Sequence, residues 1–532
     1  MSGGSHPPDV VDRDDPTEPA LRTASATRPP ALSHLRNRLQ SRFVLGVPWG
    51  TIALCCLIGT VYLVVQDGLG AWGEPLTIPF TSWSYRHPLG VLLGPVAHQG
   101  PDHLLANLTG TLVFGSVAEY VYGHGSTGGG LRNAPAVRAF VIFPGVALLA
   151  GVVSIAFSWG PSIGFSDVVY AFAGVALVRY PLGTVVAISV GDALSVVLRA
   201  IEEPLFVVSR TPASDPWFVD TALQSHTFGL LLGITAGVAL LVVRDADPPS
   251  AFRLWVAAAL FGSVQSLWVV WWPRETAYVL ARGAGVLLVG CLATLITTAT
   301  VAATSGLGSV SDGRARRIGF ALLVVPLVVM AAVAVPINAA TDVREPPEAR
   351  TVDVGGYAVT YAEDVPNERL APFAAVTGEP ATTSGVLVVD PDRGIWTRPV
   401  SAGRLESDGT ESIRVGGLGW DRTVFVVRRG WRTTGGNTTF QVWINPNHGG
   451  FNRVYASPPA QAAPVVAGHN VTVVPSGIRF RVRVTRANGT VGTAPIPERG
   501  ENVTLGPVEL RRDRDRLIAV TDDTRVPVAT RQ

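Results

Sequence analysis

Ser225-His226-Thr227-Phe228-Gly229-Leu230-Leu231-Leu232-Gly233-Ile234-Thr235-Ala236-Gly237 is the stretch that decides the fold. Its apolar character runs on to Val243, and Gly229, Gly233 and Gly237 recur at a spacing of four. On a helix that spacing makes one smooth stripe, the kind of surface that lets a second helix approach closely inside a membrane. His226 stands at the polar end of the stripe. A single helix of this sort cannot bury its own stripe, so partners are expected elsewhere in the chain.

Working outward, apolar runs recur near 48–66, 102–122, 138–157, 166–180, 183–201, 226–243, 254–271, 283–304 and 318–337. A bilayer core needs roughly 20 helical residues, and several of the runs reach that length. The chain of 532 residues therefore reads as an α-helical polytopic membrane bundle with nine candidate spans. The first 45 residues are polar, proline-containing and mixed in charge, without the pattern of a secretion signal, and read as a disordered tail. Arg36, Arg38 and Arg42 precede the first span, which puts the N-terminus on the cytoplasmic side. Alternating from there, Arg132, Arg138, Arg179, Arg244, Arg253, Arg314, Arg316 and Arg317 fall inside. Arg86, Arg199, Arg210, Arg274 and Arg282 fall outside.

An odd number of spans places the rest of the chain outside. Here the period changes: Gly385-Val-Leu-Val-Val-Asp390, Thr423-Val-Phe-Val-Val-Arg428 and Arg479-Phe-Arg-Val-Arg-Val484 are strand-like, with turn clusters between them. An extracytoplasmic all-β domain, a β-sandwich or two, is expected. Four glycosylation candidates, Asn437, Asn470, Asn488 and Asn502, lie in it. The net charge of +2 and the absence of a dominant basic patch argue against a nucleic-acid partner. Cys55, Cys56 and Cys291 all lie in apolar runs, so neither a disulfide framework nor a metal site is expected. The Gly-rich stretch 123–130 lacks the Lys-Ser/Thr of a phosphate loop and reads as a flexible inner loop.

Ionisable and polar groups inside spans are costly, so each is a functional candidate. His98-Gln-Gly-Pro-Asp-His103-Leu-Leu-Ala-Asn107 enters the second span, and His103 and Asn107 share one helical face. They fit either an oxyanion site or a polar pair bridging two helices. Gly164-Phe-Ser166-Asp167-Val-Val-Tyr170 opens the fourth span and leaves Ser166 at a helix N-terminus. A nucleophile and a plain N-cap both fit there. His226 suits either a general base or a structural helix-end histidine. All three clusters fall at the outer ends of their spans, and close approach along the glycine stripe is what a Ser–His pair requires. Asp192, within the fifth run, fits a wet entrance or a bond between helices.

These residues resemble the rhomboid family of intramembrane serine proteases. His98 and His103-x-x-x-Asn107 are similar to the family's second-helix motif, Gly164-Phe-Ser166 with Tyr170 to its nucleophile segment, and His226-x-x-Gly229-x-x-x-Gly233 to its sixth-helix motif. The resemblance covers residues 48–243 and implies a six-helix core, here followed by about three extra spans. It implies a Ser166–His226 dyad, an oxyanion site that includes His103 and Asn107, Tyr170 packed on His226, and supporting roles for His98, Gly164, Gly229 and Gly233. Substrates would be transmembrane proteins cut near the outer membrane face, and the resemblance implies no metal or cofactor. Two departures stand out: Asp167 follows the nucleophile where the family has Gly or Ala, and Trp83 and Arg86 are separated by Ser84 and Tyr85. Asp167 would repel an oxyanion, point to water, or act on His226.

The expected division is a cytoplasmic tail over 1–46, a rhomboid-like core over 47–245, further transmembrane helices over 246–338 and the extracytoplasmic β-rich domain over 339–532. The leading expectation is a serine endopeptidase acting within the bilayer. A catalytically inactive rhomboid-like protein that binds and regulates membrane proteins is the second. A surface receptor or adhesion protein anchored by the bundle is the third. Oligomeric state is not readable from the sequence.

Overall fold

The computed structural model describes residues 37, 39–124, 130–202, 222–273, 278–305, 313–339, 343–344, 350–368, 382–446, 449–522 and 524–532. Most of the N-terminal tail and of the Gly-rich stretch therefore lie outside the described residues. Nine apolar helices run in chain order among those described: α1 Trp49–Val65, α2 Pro101–Tyr122, α3 Pro135–Ala156, α4 Ser166–Arg179, α5 Pro181–Glu202, α6 Leu223–Val243, α7 Ala251–Val264, α8 Arg282–Thr304 and α9 Gly313–Ala339. Five of them (α2, α3, α6, α8 and α9) are long and apolar enough to cross a membrane. This is a multi-pass membrane bundle.

Helix α4 is one of the short helices, and it organises the rest. At 14 residues it is about 21 Å long, well short of a bilayer core. Ten of its residues are buried, because α2, α3, α5 and α6 surround it. An enclosed helix has no need to reach both surfaces, so its first residue, Ser166, starts below one of them. Gly164, two residues earlier, has φ +122, a turn open to glycine at no steric cost. At the far end Tyr180 leaves the helical region and Pro181 starts α5, where its missing N–H costs nothing.

Helices α4 and α6 meet backbone to backbone. A Cβ on Gly233 would lie 1.9 Å from Ala171 O, one on Gly229 2.2 Å from Asp167 O, and one on Gly174 2.5 Å from Leu230 O. Only glycine allows these backbones to meet. Helix α9, by contrast, keeps most of its surface outward through Val324, Val325, Val328 and Val329, which suits contact with lipid. It is tied in by Trp159 Nε1 donating to Met330 O at 2.9 Å and by Asn338 Nδ2 donating to Ser158 O at 2.8 Å. Asp192 is exposed on α5 and is not inserted between helices.

A second internal anchor sits at the opposite end of the bundle from Ser166. Glu119 on α2 is fully buried and accepts from Gly50 N at 3.0 Å, Thr51 N at 2.8 Å, Thr51 Oγ1 at 2.7 Å and His124 Nε2 at 2.7 Å. The first two are orphan N–H groups of the α1 N-terminus, which a carboxylate satisfies both as acceptor and as charge. Removing the acceptor strands several buried donors at once. Glu119→Ala is expected to destabilise the bundle by on the order of 3–5 kcal/mol. Thermal unfolding in detergent checks this, and an unchanged Tm refutes it.

Beyond α9 the chain forms an all-β region of two sandwiches joined through one strand. In the first, four consecutive antiparallel strands (Val352–Val354, Tyr357–Pro366, Thr382–Asp390 and Ile395–Ser401) face strands Thr410–Gly417, Trp420–Thr433, Thr438–Pro446 and Asn452–Ala456. Val359, Val386, Val388, Val424, Val442 and Ile444 fill the space between. In the second, strands from Ala460 to Pro495 face strands from Asn502 to Arg531 over Val471, Val482, Val484, Leu510 and Leu517. The 14-residue strand Trp420–Thr433 enters both: its middle pairs within the first sandwich and Trp431–Thr433 pairs with Thr524–Arg531. Asn437, Asn488 and Asn502 are exposed, and Asn470 is half-buried in a strand.

The β region is seated on the loop between α1 and α2, at the Ser166 end of the bundle. Ile78 and Trp83 of that loop enter the first sandwich's core. Ser84 Oγ donates to Arg393 O at 2.8 Å, and Arg414 reaches Asp67 Oδ2 at 2.7 Å and Glu74 O at 3.0 Å. The same loop continues to the site. Ser82 and Ser162 exchange backbone hydrogen bonds at 3.0 and 3.3 Å, and Gly164 N donates to Gly94 O at 2.8 Å.

Candidate active site

Ser166 Oγ and His226 Nε2 are 2.9 Å apart, a hydrogen bond between the first turns of α4 and α6. The glycine stripe is the reason. With Gly229 and Gly233 on its contact face, α6 comes close enough to α4 for two short side chains to meet. Tyr170, one turn after Ser166, stacks on the His226 ring with centroids 4.4 Å apart and planes within 10°. Tyr170 Oη is itself fixed by donating to Gln265 O at 2.7 Å. The imidazole thus has its orientation set on one face by an aromatic ring. Its other nitrogen, Nδ1, has no hydrogen-bond partner.

His103 and Asn107 lie on the other side of the nucleophile turn. A Cβ at Gly164 would fall 2.4 Å from His103 Cε1 and 3.5 Å from Asn107 Nδ2, so both side chains flank the Gly164–Ser166 turn. Asn107 Nδ2 and His103 Nδ1 are buried and have no acceptor. A buried donor left unpaired is costly, and in a polar pocket it marks a place where a further oxygen can sit. His98 packs edge-on against His103 with centroids 5.1 Å apart, and both its ring nitrogens are also unpartnered. Its backbone is held by Gln66, whose Oε1 accepts from His98 N at 2.8 Å and whose Nε2 donates to His98 O at 2.8 Å.

Asp167 does not point to water: it is 2% exposed. That alternative is corrected by the helical geometry, which turns residue 167 about 100° from Ser166 and into the α4–α6 seam. Neither carboxylate oxygen has a hydrogen-bond partner. The Ser225 hydroxyl is close enough to interact with it but already donates weakly to Ala222 O at 3.3 Å. Nothing in this arrangement joins Asp167 to His226 through a hydrogen bond.

Three positioning residues are absent from the sequence reading, two acting through side chains and Gln265 through its backbone carbonyl. Gln66 closes the first apolar run, Gln265 follows α7, and Gln224 clamps the start of α6 by accepting from Trp159 N at 3.0 Å and donating to Phe157 O at 3.1 Å. Glu119 is the fourth omission, though not of this site. The signal for Glu119 and Gln66 was present, since each is a polar residue within a predicted span. Among the described residues, no group of three or more His, Cys, Asp or Glu side chains is placed to hold a metal ion.

A bundle of apolar helices that brings a serine hydroxyl onto an imidazole below the bundle's end defines a class: a membrane protein with a serine–histidine pair inside its helical core. Residues 86–243 match the family model described as Rhomboid domain. The chain thus carries a rhomboid domain, and α2 to α6 are its matched helices. No curated protein and no solved structure matches the chain.

Proposed function

We propose that the protein is an intramembrane serine endopeptidase that hydrolyses peptide bonds of transmembrane-protein substrates. The observation that carries the reading is the 2.9 Å Ser166–His226 hydrogen bond, flanked by unpaired donors on His103 and Asn107. Ser166 Oγ attacks the scissile carbonyl while His226 Nε2 takes its proton. The tetrahedral oxyanion is held by Asn107 Nδ2, the His103 ring and the Ser166 N–H at the α4 N-terminus. His226 then returns the proton to the leaving amine, and water repeats the sequence on the acyl-enzyme. His98, Gly164, Tyr170, Gly229 and Gly233 support this geometry.

Because a helical peptide hides its carbonyls in its own hydrogen bonds, substrates with helix-breaking or small residues near the cut are favoured. The arginine-rich end of the bundle, with Arg138, Arg179, Arg244 and Arg253, faces the cytoplasm together with the N-terminus. Ser166 and the β region then face outward. In that orientation Asn437, Asn488 and Asn502 are accessible to glycan-adding enzymes, and Asn470 less so.

One observation favours a second reading, an inactive protein that binds membrane helices: a buried carboxylate on Asp167 next to the nucleophile. Both readings are tested by cleavage of a labelled single-span reporter in liposomes. Wild type is expected to cut and Ser166→Ala is not. Asp167→Gly is expected to raise the rate up to about tenfold, since an adjacent carboxylate opposes a developing oxyanion. A silent wild type with an active Asp167→Gly gives the second reading instead.

A further inference from the structure

At the end of the bundle opposite Ser166, five arginines gather without a carboxylate partner among the described residues, and two of them, Arg179 and Arg253, line one groove. Arg179 ends α4, Arg244 follows α6, Arg253 lies in the first turn of α7, Arg138 lies early in α3, and Arg42 lies just before α1. Among the described residues none of the five forms an ion pair. Instead each that is held is held by neutral groups. Arg179 donates to Asp247 O at 3.1 Å, Arg138 donates to Gly123 O at 2.9 Å, and Arg244 donates to the carbonyls of Val121 and Tyr122. Arg42 lies over the Tyr120 ring at 5.8 Å and Arg138 over Tyr122 at 4.5 Å. Partial burial and then the nearby Arg42, Arg138 and Arg179 hold the Arg244 guanidinium below its usual range, which is the mark of crowded like charge. The side chains of Asp245 and Asp247 are close in sequence but are exposed.

The groove itself has a volume of about 590 Å³. Arg179 and Arg253 line it, and Phe43, Tyr120, Tyr180 and Leu182 are among its largely apolar walls. Leu182 is 56% exposed and Tyr180 37%, so the apolar wall of the groove is open at the surface of the bundle. An apolar trough with unpaired cations at the level of the helix ends matches one chemistry: an amphiphile with an anionic head. Soluble anions would use the arginines but leave the apolar walls in water. Zwitterionic lipids would fill the walls but bring no net charge to the cations.

We propose that this groove is a binding site for an anionic phospholipid. Its phosphate sits between Arg179 and Arg253 and an acyl chain lies along Tyr180 and Leu182. The site is separated from Ser166 by the length of α4, about 21 Å, and so is independent of any catalytic role of that serine.

The test is native mass spectrometry of the full chain, delipidated in detergent and offered equimolar dioleoyl phosphatidylglycerol and dioleoyl phosphatidylcholine. The expected result is at least about tenfold preferential retention of one phosphatidylglycerol, the equivalent of about 1.4 kcal/mol. Arg253→Gln, at an exposed residue with no hydrogen bond or ion pair among the described residues, is expected to lower that preference several-fold without disturbing folding. The double variant Arg179→Gln, Arg253→Gln is expected to abolish it. Equal retention of the two lipids overturns the proposal, as does an unchanged preference in Arg253→Gln. Displacement of the lipid by an equal concentration of glycerol 3-phosphate also overturns it, because the site would then take a soluble anion.

Discussion

Ser166→Ala and His226→Ala are each expected to reduce reporter cleavage by at least about 10⁴-fold, and the double variant by no more than either alone. The non-additivity is the informative part. If the 2.9 Å hydrogen bond is the route by which the Ser166 proton leaves, then a serine without its base and a base without its serine fail for one reason. Two residues that merely stabilised the fold would instead give losses that add. Neither replacement is expected to unfold the bundle, because Ser166 and His226 are half-buried and their helices are held by the backbone contacts at Gly229 and Gly233. Single-turnover rates of the four proteins in liposomes, with Tm recorded in parallel, settle the matter. Additive losses, or a single variant that keeps more than about a hundredth of the rate, would sink the dyad.

Asn107→Ala provides a graded companion to that result. One donor to an oxyanion contributes about 10²–10³ in kcat where it has been removed from other hydrolases. Asn107 Nδ2 is buried and unpaired in the resting protein, so its removal relieves a cost in the ground state and takes away a bond in the transition state. The expected signature is therefore a fall in kcat with no loss of Tm. A purely structural polar pair would show the reverse.

Much of the bundle was legible because lipid imposes length and composition on a span, and those are properties of the sequence alone. The run at 166–180 appears as Ser166–Arg179 and that at 283–304 as Arg282–Thr304. Where hydrophobicity and helicity part, the reading drifts. The run 254–271 continues past the helix, which ends at Val264; Ser266 has φ +58 and the aromatic residues after it turn into a short ribbon pairing Trp271–Pro273 with Tyr278–Leu280. Apolar side chains suit either form, so composition could not tell them apart. The glycine spacing in α6 announced a close contact, while the contact's partner atoms on Asp167 and Ala171 are a property of the folded chain. Glu119 shows the same limit: the residue is visible in its run, but Gly50 N and Thr51 N are 69 and 68 residues away. The β region was readable as strands with two-residue alternation. That one strand, Trp420–Thr433, would serve two sandwiches is a matter of pairing over nearly a hundred residues, which no local pattern carries.

Gly233→Leu is expected to cost nearly as much activity as loss of the dyad, through packing alone. Any Cβ at residue 233 falls 1.9 Å from Ala171 O, a distance no real contact allows, and both partners are backbone in the middle of helices. Relief requires α6 to move away from α4 by more than an ångström. The hydrogen bond between Ser166 and His226 starts at 2.9 Å, and a shift of that size takes it beyond useful reach. Overpacking of this kind costs about 1–3 kcal/mol or more in stability, so a lower Tm should accompany a loss of at least about 100-fold in rate. Two further glycines make the argument quantitative. At Gly237 the nearest atoms to a new Cβ are Val178 Cβ at 3.2 Å and Val175 Cα at 3.3 Å, so a few tenths of an ångström of movement suffices and Gly237→Ala should be mild. Gly191 on α5 has nothing within 4 Å, so Gly191→Ala should be silent or slightly stabilising through helix propensity. The order Gly233, Gly237, Gly191 in both rate and Tm is the expected result. Equal effects at the three positions would mean that the α4–α6 backbone contact does not set the distance between serine and histidine.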